Sequence, residues 1–553
     1  MATETFFKKI VINKEAAEIM AAELEKEKEP YIPEFDAEEV ERNTKQWLER
    51  YRSKKSSAQQ KMDAVQKDKT AQVNSAKTTM ILLAVALIAL FAITACTNKN
   101  NTDNRDNPET DAATSATPPE DNKDMDNIWT FYNERAEAFV TAMANGDFEA
   151  ATAMFDPTMK RALPEAKLEN DVWNVVIEQA GAFIGVHEIE NSLVDGYYVC
   201  FTTSRHEIRG VTLRVVFSEN GLVSGLFIDG YQTIAGDIAQ REGFTEYPIV
   251  IGEGTDFPLH GILSMPDNVS GKIPAVVLVH GSGAQDMNET IYENKPFLDI
   301  AEYLASNGIA VIRYDKRTFT HWAKITEHFG GGATIWEETI EDAILATAIL
   351  KSDPRIDENK VFMLGHSLGG MLAPRIHAEG GNFAGIISLA GSPRTLLEIS
   401  YDQTMALINE MPESAEKTAA LSQMETYDEQ IQALMNLSDD DAKNTPMSGG
   451  VSFYYYKEME EKPVFDYLQK IQIPFLIIQG EKDFQVYADK DYVLWQELLA
   501  GRSNATFKLY DGLNHFFMKS TGKNIAEFQE EYKVASHVDS RVLLDIVEWI
   551  KSN

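Results

Sequence analysis

The chain has 553 residues, of which 44% are hydrophobic and 25% charged, and its formal net charge is −35. This length is too great for one ordinary core and predicts three or four units. The composition is that of a globular protein. A surplus of negative charge on this scale repels phosphate groups, so nucleic acid is excluded as an expected partner.

Residues 1–77 form a charged N-terminal segment. Helices are predicted at Ala16–Lys28 and from about Ala37 to Tyr51, on either side of a proline-containing break. No set of side chains in this segment forms a pattern for catalysis. Two interpretations stay open: a small cytoplasmic module, or an upstream extension of a protein whose working start is Met62 or Met80.

Residues 78–96 contain no charged side chain and end in Ile93-Thr94-Ala95-Cys96. The run has about the length of a signal-peptide core and is slightly short for a membrane span. Its end resembles the lipobox of bacterial lipoproteins, which implies that Cys96 is lipidated and becomes the mature N-terminus. An uncleaved single-pass anchor is the alternative.

The charges that flank this apolar run predict its orientation. Residues 42–79 hold ten Lys/Arg against three Asp/Glu, whereas residues 97–127 hold three against eight. Because a basic flank stays in the cytoplasm, the C-terminal part is expected outside the cytoplasmic membrane, in the cell envelope. Residues 97–127 are rich in Asn, Asp, Thr and Pro and are expected to be a disordered linker.

Residues 128–235 are predicted to form an α+β domain, with helices first and a curled antiparallel sheet after them. Alternating segments appear at Gly196–Thr203, Val211–Ser218 and Gly221–Ile228. The pair Asn220-Gly221 is typical of a hairpin turn. Cys200 lies in an apolar run and is predicted to be buried. The stretch resembles the NTF2-like domain of unknown function found ahead of bacterial envelope hydrolases, for which a binding, spacing or dimerising role is expected.

Residues 245–553 alternate predicted strands and helices and open with an antiparallel pair, Tyr247–Ile251 and Leu259–Met265. Roughly eight strands in this order indicate an α/β-hydrolase fold with a doubly wound, mostly parallel sheet. An insertion at about 392–473 is predicted to be a helical cap. Its aromatic run at 451–456 either lines an acyl pocket or forms the core of the cap.

Ser367 lies in Gly365-His366-Ser367-Leu368-Gly369, between a predicted strand and a predicted helix. The glycines permit a tight strand-to-helix turn that places the serine hydroxyl at the tip of the sheet. The N-terminus of the following helix favours developing negative charge. This context predicts Ser367 as a catalytic nucleophile.

The general base should follow the serine and the acid in the chain. His515 comes directly after a strand predicted at Thr506–Tyr510. His377 lies within the helix that begins at the nucleophile, and His537 precedes the final helix. Of these three histidines, only His515 lies in the loop after a strand, where the base that takes the proton of the serine hydroxyl is needed. His515 is therefore the predicted base.

The acid is expected after the preceding strand, predicted at Phe475–Gln479. Asp483 in Gly480-Glu481-Lys482-Asp483 has this position, with Glu481 as the lesser candidate. The carboxylate would fix the tautomer of the His515 imidazole.

A glycine-containing loop, Val279-His280-Gly281-Ser282-Gly283, follows another predicted strand. One backbone N–H of an oxyanion hole is contributed from this position. The amides of Ser282 and Leu368 are the predicted donors, and His280 is predicted to brace the loop. No spacing of His, Cys or Asp indicates a metal site, and no cofactor is expected.

Five motifs together resemble a bacterial α/β-hydrolase family described as serine aminopeptidase-like or esterase-like. They are His280-Gly281-Ser282-Gly283, Arg313-Tyr314-Asp315-Lys316-Arg317, Gly365 to Gly370, Gly480 to Asp483 and Asn514-His515. The resemblance implies hydrolysis of a carboxylic ester or a small acyl or peptide bond. In the second motif, Asp315 and Arg317 either brace a loop by ion pairing or meet an anionic substrate.

Three functions are compatible with these residues. The first is a membrane-anchored esterase acting on a small molecule through an acyl-enzyme. The second is an aminopeptidase or acyl-peptide hydrolase, which would hold the free amine of its substrate with carboxylates of the cap. The third is an inactive envelope binding protein, which the complete triad disfavours. The sequence does not predict the oligomeric state.

Overall fold

The computed structural model describes residues 122–194, 196–233, 242–447 and 451–553. The charged segment, the apolar run with Cys96 and most of the predicted linker lie outside these residues. Within the described ranges, no helix is both long and apolar enough to cross a membrane.

The first part of the small domain is helical. Its helices are α1 Asn122–Ala144, α2 Phe148–Ala153, α3 Pro157–Ala162, α4 Glu165–Lys167, a π-helical segment Leu168–Trp173, and α5 Asn174–Ala180. Helix α1 begins within the predicted linker, so the last residues of that linker are helical. Tyr132, Ala136, Phe139 and Met143 recur at helical spacing, and all four are buried against the sheet of the domain.

That sheet is antiparallel, with the strands in chain order. They are β1 Phe183–Val194, β2 Tyr197–His206, β3 Gly210–Phe217 and β4 Val223–Gln232. Three of them were expected, and β1 was missed because this edge strand is exposed at many positions and lacks a clean apolar alternation. Cys200 is fully buried as predicted, and burial raises the pKa of its thiol to about 12.

The large domain contains an eight-stranded sheet. Its strands are β5 Phe244–Ile251, β6 Leu259–Pro266, β7 Ile273–Val279, β8 Ala310–Tyr314, β9 Ile356–His366, β10 Ile386–Leu389, β11 Phe475–Gly480 and β12 Ala505–Tyr510. The spatial order is β12-β11-β10-β9-β7-β8-β6-β5. Only β6 runs antiparallel to both of its neighbours, and the pairs from β8 to β12 are parallel. This order confirms the α/β-hydrolase fold.

Helices cover both faces of this sheet. The α-helices of this domain outside the cap are α6 Pro296–Ser306, α7 Arg317–Thr320, α8 Trp322–Phe329, α9 Glu341–Ser352, α10 Leu368–Ile376, α17 Val493–Leu498, α18 Phe528–Tyr532 and α19 Ser540–Ser552. Strand β7 shows why helices must cover both faces of the sheet. Ala275, Val277 and Val279 enter the core on one face, and Val276 and Leu278 enter the core on the other. A continuous apolar run is therefore required, as is usual for a buried parallel strand.

The predicted cap is helical. It contains α11 Leu396–Glu410, α12 Ala415–Glu425, α13 Tyr427–Met435, α14 Asp439–Lys443, α15 Phe453–Glu461 and α16 Val464–Leu468. Helix α11 begins with a capping box made by Thr395 and Glu398. Of the aromatic run, Phe453, Tyr455 and Tyr456 are buried in the core beneath the cap. This core is shared by the cap and the sheet, and none of residues 451–456 lines the cavity that contains Ser367.

The two domains meet where β4 packs against α7 and α8. The backbone approach is close, since a Cβ added at Gly230 would lie 2.1 Å from the carbonyl oxygen of Thr320. An ion pair between Arg214 and Glu327, at 3.1 Å, lies at the same interface.

Candidate active site

Ser367 occupies the sharp turn between β9 and α10, with φ 50° and ψ −113°. A positive φ is strained for a residue with a side chain, so the surrounding structure must impose it. The Ser367 amide donates to the Leu389 carbonyl at 2.8 Å. A Cβ at Gly365 would lie 2.3 Å from the carbonyl of Gly369, and one at Gly369 would lie 2.2 Å from the Val279 oxygen. Only glycine fits at these two positions.

His515 and Asp483 lie at the carboxyl ends of β12 and β11, which share one edge of the sheet. His515 Nδ1 is 2.7 Å from Asp483 Oδ2. The Asp483 carboxylate also accepts from the Gln479 side chain at 2.8 Å and from the amides of Gln485 and Val486 at 2.8 and 2.9 Å. With Nδ1 donating to this fixed carboxylate, His515 Nε2 is left as a proton acceptor.

The competing candidates lie elsewhere. Glu481 is 43% exposed in its side chain, and its carboxylate accepts from the Gly512 amide at 3.2 Å. His377 Nδ1 accepts from the Phe383 amide at 2.9 Å. The His537 side chain is 87% exposed. The structure therefore pairs His515 with Asp483 and not with Glu481.

The loop after β7, residues 280–289, lies beside the serine and is called the oxyanion loop below. A Cβ at Gly281 would lie 3.2 Å from Ser367 Cβ. Ser282 and Leu368 line the same cavity as Ser367. Leu368 is the first residue of α10, where amides have no acceptor within the helix. Both residues thus lie at the cavity that contains Ser367, as the predicted oxyanion hole requires, and the assignment of their amides as donors stays a prediction.

The cavity at Ser367 has a volume of about 60 Å³. Apolar side chains from α10, the cap and the loops form much of its lining: Leu368, Met371, Leu396, Ile399, Val486 and Phe516. Its polar lining consists of serines, glutamines and histidines, and the described residues that line it include neither Asp nor Glu. Nor do the described residues contain a group of three or more His, Cys, Asp or Glu placed to hold a metal ion.

A buried pair next to the triad was missed by the sequence analysis. Glu289 Oε1 is 2.9 Å from both the Gly281 amide nitrogen and His366 Nδ1, and His366 Nε2 is 3.1 Å from the His515 carbonyl oxygen. Both ring nitrogens of His366 thus face acceptors, which favours the doubly protonated ring. Burial lowers the pKa of His366, but the Glu289 carboxylate outweighs burial and raises it overall. The pair connects the oxyanion loop, the turn at Ser367 and the loop that carries His515.

Little in the sequence points to Glu289, because its partners lie far away in the chain. The one signal is a polar run directly after the glycine-containing loop. His280 acts as predicted on the same loop: its Nε2 bonds to the Asp286 carbonyl at 3.0 Å. Burial lowers the pKa of His280 to about 4, so the ring is neutral and donates from Nε2.

The Arg313–Arg317 motif differs in part from expectation. Arg317 forms a buried ion pair with Asp342 and a second ion pair with the exposed Glu341, as the bracing interpretation predicts. Asp315 has no ion-pair partner among the described residues, contrary to expectation. Its carboxylate accepts hydrogen bonds from Thr233 and from the Met287 amide. Neither residue lines the cavity, so contact with an anionic substrate is not supported.

Family models match both domains. One described as "Serine aminopeptidase, S33" matches residues 273–521. Another described as "Protein of unknown function (DUF3887)" matches residues 136–226.

Two relatives have similar sequences. Esterase EstD of Thermotoga maritima is 32% identical over 426 residues, which cover 76% of this chain and 96% of that protein. The uncharacterized peptidase YtmA of Bacillus subtilis is 24% identical over 189 residues, or 34% of this chain and 60% of that protein.

Solved structures with similar coordinates include Est1E from Butyrivibrio proteoclasticus, at 18% identity and a TM-score of 0.33 over 55% of this chain and 99% of that one. An esterase of Pyrococcus furiosus has 15% identity and a TM-score of 0.35 over 56% and 91%.

With its eight-stranded sheet and a serine at the strand-to-helix turn, the molecule is a serine hydrolase of the α/β-hydrolase fold. The 32% identity extends over nearly the whole of esterase EstD. The chain belongs to that esterase's family, and the resemblance seen in the motifs is confirmed.

Proposed function

We propose that the protein is a carboxylesterase that cleaves esters of small, uncharged acyl groups through an acyl-enzyme. The observation that carries the proposal is the small cavity that Ser367 and His515 line together. The described residues that line this cavity include no carboxylate. The hydrogen bond from His515 to Asp483 supplies the required tautomer.

The reaction has two halves. His515 Nε2 takes the Ser367 hydroxyl proton as Oγ attacks the ester carbonyl carbon, and the amides of Ser282 and Leu368 stabilise the oxyanion. His515 then gives the proton to the departing alcohol. In the second half water attacks the acyl carbon, His515 takes its proton, and the carboxylic acid leaves while the proton returns to Ser367.

The cavity supports a short, neutral acyl group. A volume of about 60 Å³ leaves little room for a long chain, and Met371, Leu396 and Ile399 present apolar surface. Gln403 and Gln485 offer neutral amide groups in the same cavity. A cationic acyl group would meet no carboxylate among the described residues that line the cavity. An anionic acyl group would meet only His366, whose charge is already paired with Glu289. Burying either charge without a counter-charge is unfavourable.

An aminopeptidase would need a carboxylate to hold the free amine of the substrate. Two acids in and near the cap are already paired: Asp402 and Asp491 lie 2.6 and 2.8 Å from Arg394 nitrogens. Asp491 is completely buried. These pairs, together with the lack of a carboxylate among the described residues that line the cavity, favour ester over aminopeptidase activity.

A parallel substrate screen tests this preference. The full chain, in detergent, should hydrolyse p-nitrophenyl acetate and butyrate, decanoate more slowly, and aminoacyl p-nitroanilides hardly at all. Ser367→Ala should abolish the ester activity and the labelling by a fluorophosphonate probe. Faster cleavage of aminoacyl anilides than of any ester would contradict the proposal.

We also propose that a lipid on Cys96 holds the enzyme at the outer face of the cytoplasmic membrane. The lipobox-like sequence and the basic flank before it support this placement. Metabolic labelling with an alkyne fatty acid should mark the wild type and not Cys96→Ser. A wild-type chain that keeps its full mass, takes no label and stays in the detergent phase would indicate an uncleaved anchor instead.

A further inference from the structure

The small domain contacts the catalytic domain close to the oxyanion loop. Thr233, directly after β4, donates to the Asp315 carboxylate twice: from its amide at 2.6 Å and from its hydroxyl at 2.8 Å. The same carboxylate accepts from the Met287 amide of the oxyanion loop at 2.8 Å. One buried carboxylate therefore joins the two domains and the loop.

The charged form of the Asp315 carboxylate depends on these hydrogen bonds. It is completely buried and has no counter-ion among the described residues. Burial raises the pKa of the Asp315 carboxyl to about 7, and the bonds from Thr233 and Met287 oppose this rise. A buried carboxylate that loses a donor must take up a proton or move toward another donor. A change at Thr233 is thus transmitted through Asp315 to Met287 of the oxyanion loop.

The residue after Asp315 carries the connection to the catalytic end of the loop. The Lys316 amide donates to the Gln285 carbonyl at 3.0 Å, and Lys316 Nζ donates to the Gly281 carbonyl at 2.8 Å. Gly281 directly precedes Ser282, whose amide is assigned to the oxyanion hole. A displacement of the 315–316 segment would therefore move that amide.

A second contact reaches the same loop from the small domain. Arg209 lies over the Phe319 ring at 5.2 Å, and its guanidinium is 3.8 Å from the Asp286 carboxylate. The Tyr231 ring lies beside Phe319, with 5.9 Å between centroids. These contacts flank the Thr233–Asp315 bonds and fix β4 against the catalytic domain.

We infer that the small domain positions the oxyanion loop for catalysis, with Thr233 acting through Asp315 as a positioning residue. The inference rests on the proposed ester hydrolysis. It assigns the domain a catalytic support role in place of the binding, spacing or dimerising role expected from sequence. The small domain is expected to stabilise the transition state more than the bound ester, since the Ser282 amide that it positions binds the oxyanion formed in the transition state.

The test compares Thr233→Val, which keeps the shape of the side chain and removes the hydroxyl, with Thr233→Ser, which keeps the hydroxyl. Kinetics on p-nitrophenyl butyrate give kcat and KM separately. Affinity is also measured for an alkyl trifluoromethyl ketone, which accepts Ser367 Oγ at its carbonyl carbon while the hydroxyl proton passes to His515. The resulting hemiketal oxyanion occupies the oxyanion hole.

Thr233→Val should lower kcat roughly tenfold with little change in KM, because a small misplacement of a catalytic group has effects on this scale. Ketone affinity should fall by a similar factor, and Thr233→Ser should restore both. Glu327→Gln is the matched control, since it breaks the Arg214 pair at the same interface away from the loop. It should leave kcat and ketone affinity unchanged.

Wild-type kcat and ketone affinity in Thr233→Val would overturn the inference, as would an equal loss in Glu327→Gln. If Thr233→Val does not fold, Asp315→Asn decides in the same way: lowered ketone affinity supports the inference and unchanged affinity overturns it. A wild type that neither cleaves esters nor binds the ketone would instead contradict the proposed function.

Discussion

Ser367, His515 and Asp483 come from three separate loops, yet each follows a strand of the same parallel sheet. The chemistry depends on the Asp483 carboxylate, which binds His515 Nδ1 and is itself held by three further donors. Loss of its charge would leave the imidazole free to adopt the wrong tautomer.

Asp483→Asn should therefore lower kcat on p-nitrophenyl acetate by about 10³- to 10⁴-fold with little change in KM. Glu481→Gln is the matched control, because Glu481 contacts the Gly512 amide and not His515. Steady-state kinetics of both variants distinguish the two carboxylates. A larger loss in Glu481→Gln than in Asp483→Asn would reassign the acid.

The Glu289–His366 pair predicts a pH-dependent contribution to stability. The pKa of His366 is raised above its ordinary 6.5, so the folded state binds the proton more tightly than the unfolded state. The stabilisation is complete below about pH 6.5 and is lost as pH rises through the folded pKa. The difference in Tm between wild type and His366→Asn should shrink from pH 6 to pH 9. A difference that grows with pH would contradict the charged pair.

The residues of the triad could be predicted because their positions follow from local pattern: apolar strands, glycines and the order of Ser, Asp and His. Glu289 could not, since its role comes from contacts with Gly281 and His366 that only the folded chain brings together. The same holds for Asp315, which was expected to form an ion pair and instead accepts hydrogen bonds from Thr233 and Met287.

The cap contributes part of the lining of the cavity that contains Ser367. Leu396 and Ile399 of α11 line the cavity, whereas Ile431 of α13 packs in the core of the cap. The central strands and α6 were predictable because their apolar patterns are strong. Edge strand β1 could not be predicted, and neither could the division of the cap residues between the core and the lining of the cavity. Both depend on what packs against each face of an element.

Leu396→Ala should shift the preference of the enzyme toward longer acyl chains. Each additional buried methylene is worth about 0.8 kcal/mol, so the ratio of kcat/KM for hexanoate over acetate should rise several-fold. Ile431→Ala should lower Tm without changing that ratio. An unchanged ratio in Leu396→Ala would mean that the acyl group lies elsewhere.

At the scale of the whole molecule, the two domains are joined by a tight backbone contact. A Cβ at Gly230 would lie 2.1 Å from the Thr320 carbonyl oxygen, whereas one at Gly185 on β1 would meet nothing within 4 Å. Gly230→Ala should therefore destabilise the full chain by about 2 kcal/mol, and Gly185→Ala should not. Denaturant unfolding of the two variants measures the difference, and equal stabilities would argue against the close docking of β4.

Formation of an acyl-enzyme at Ser367 can be observed in a pre-steady-state experiment. The full chain is mixed with p-nitrophenyl acetate, quenched in acid and digested for mass spectrometry. We expect a burst of p-nitrophenol near one equivalent per active site and an acetyl group on the peptide containing Ser367, both absent in Ser367→Ala. Turnover of the ester without acetylated Ser367, or with full activity in Ser367→Ala, would contradict it.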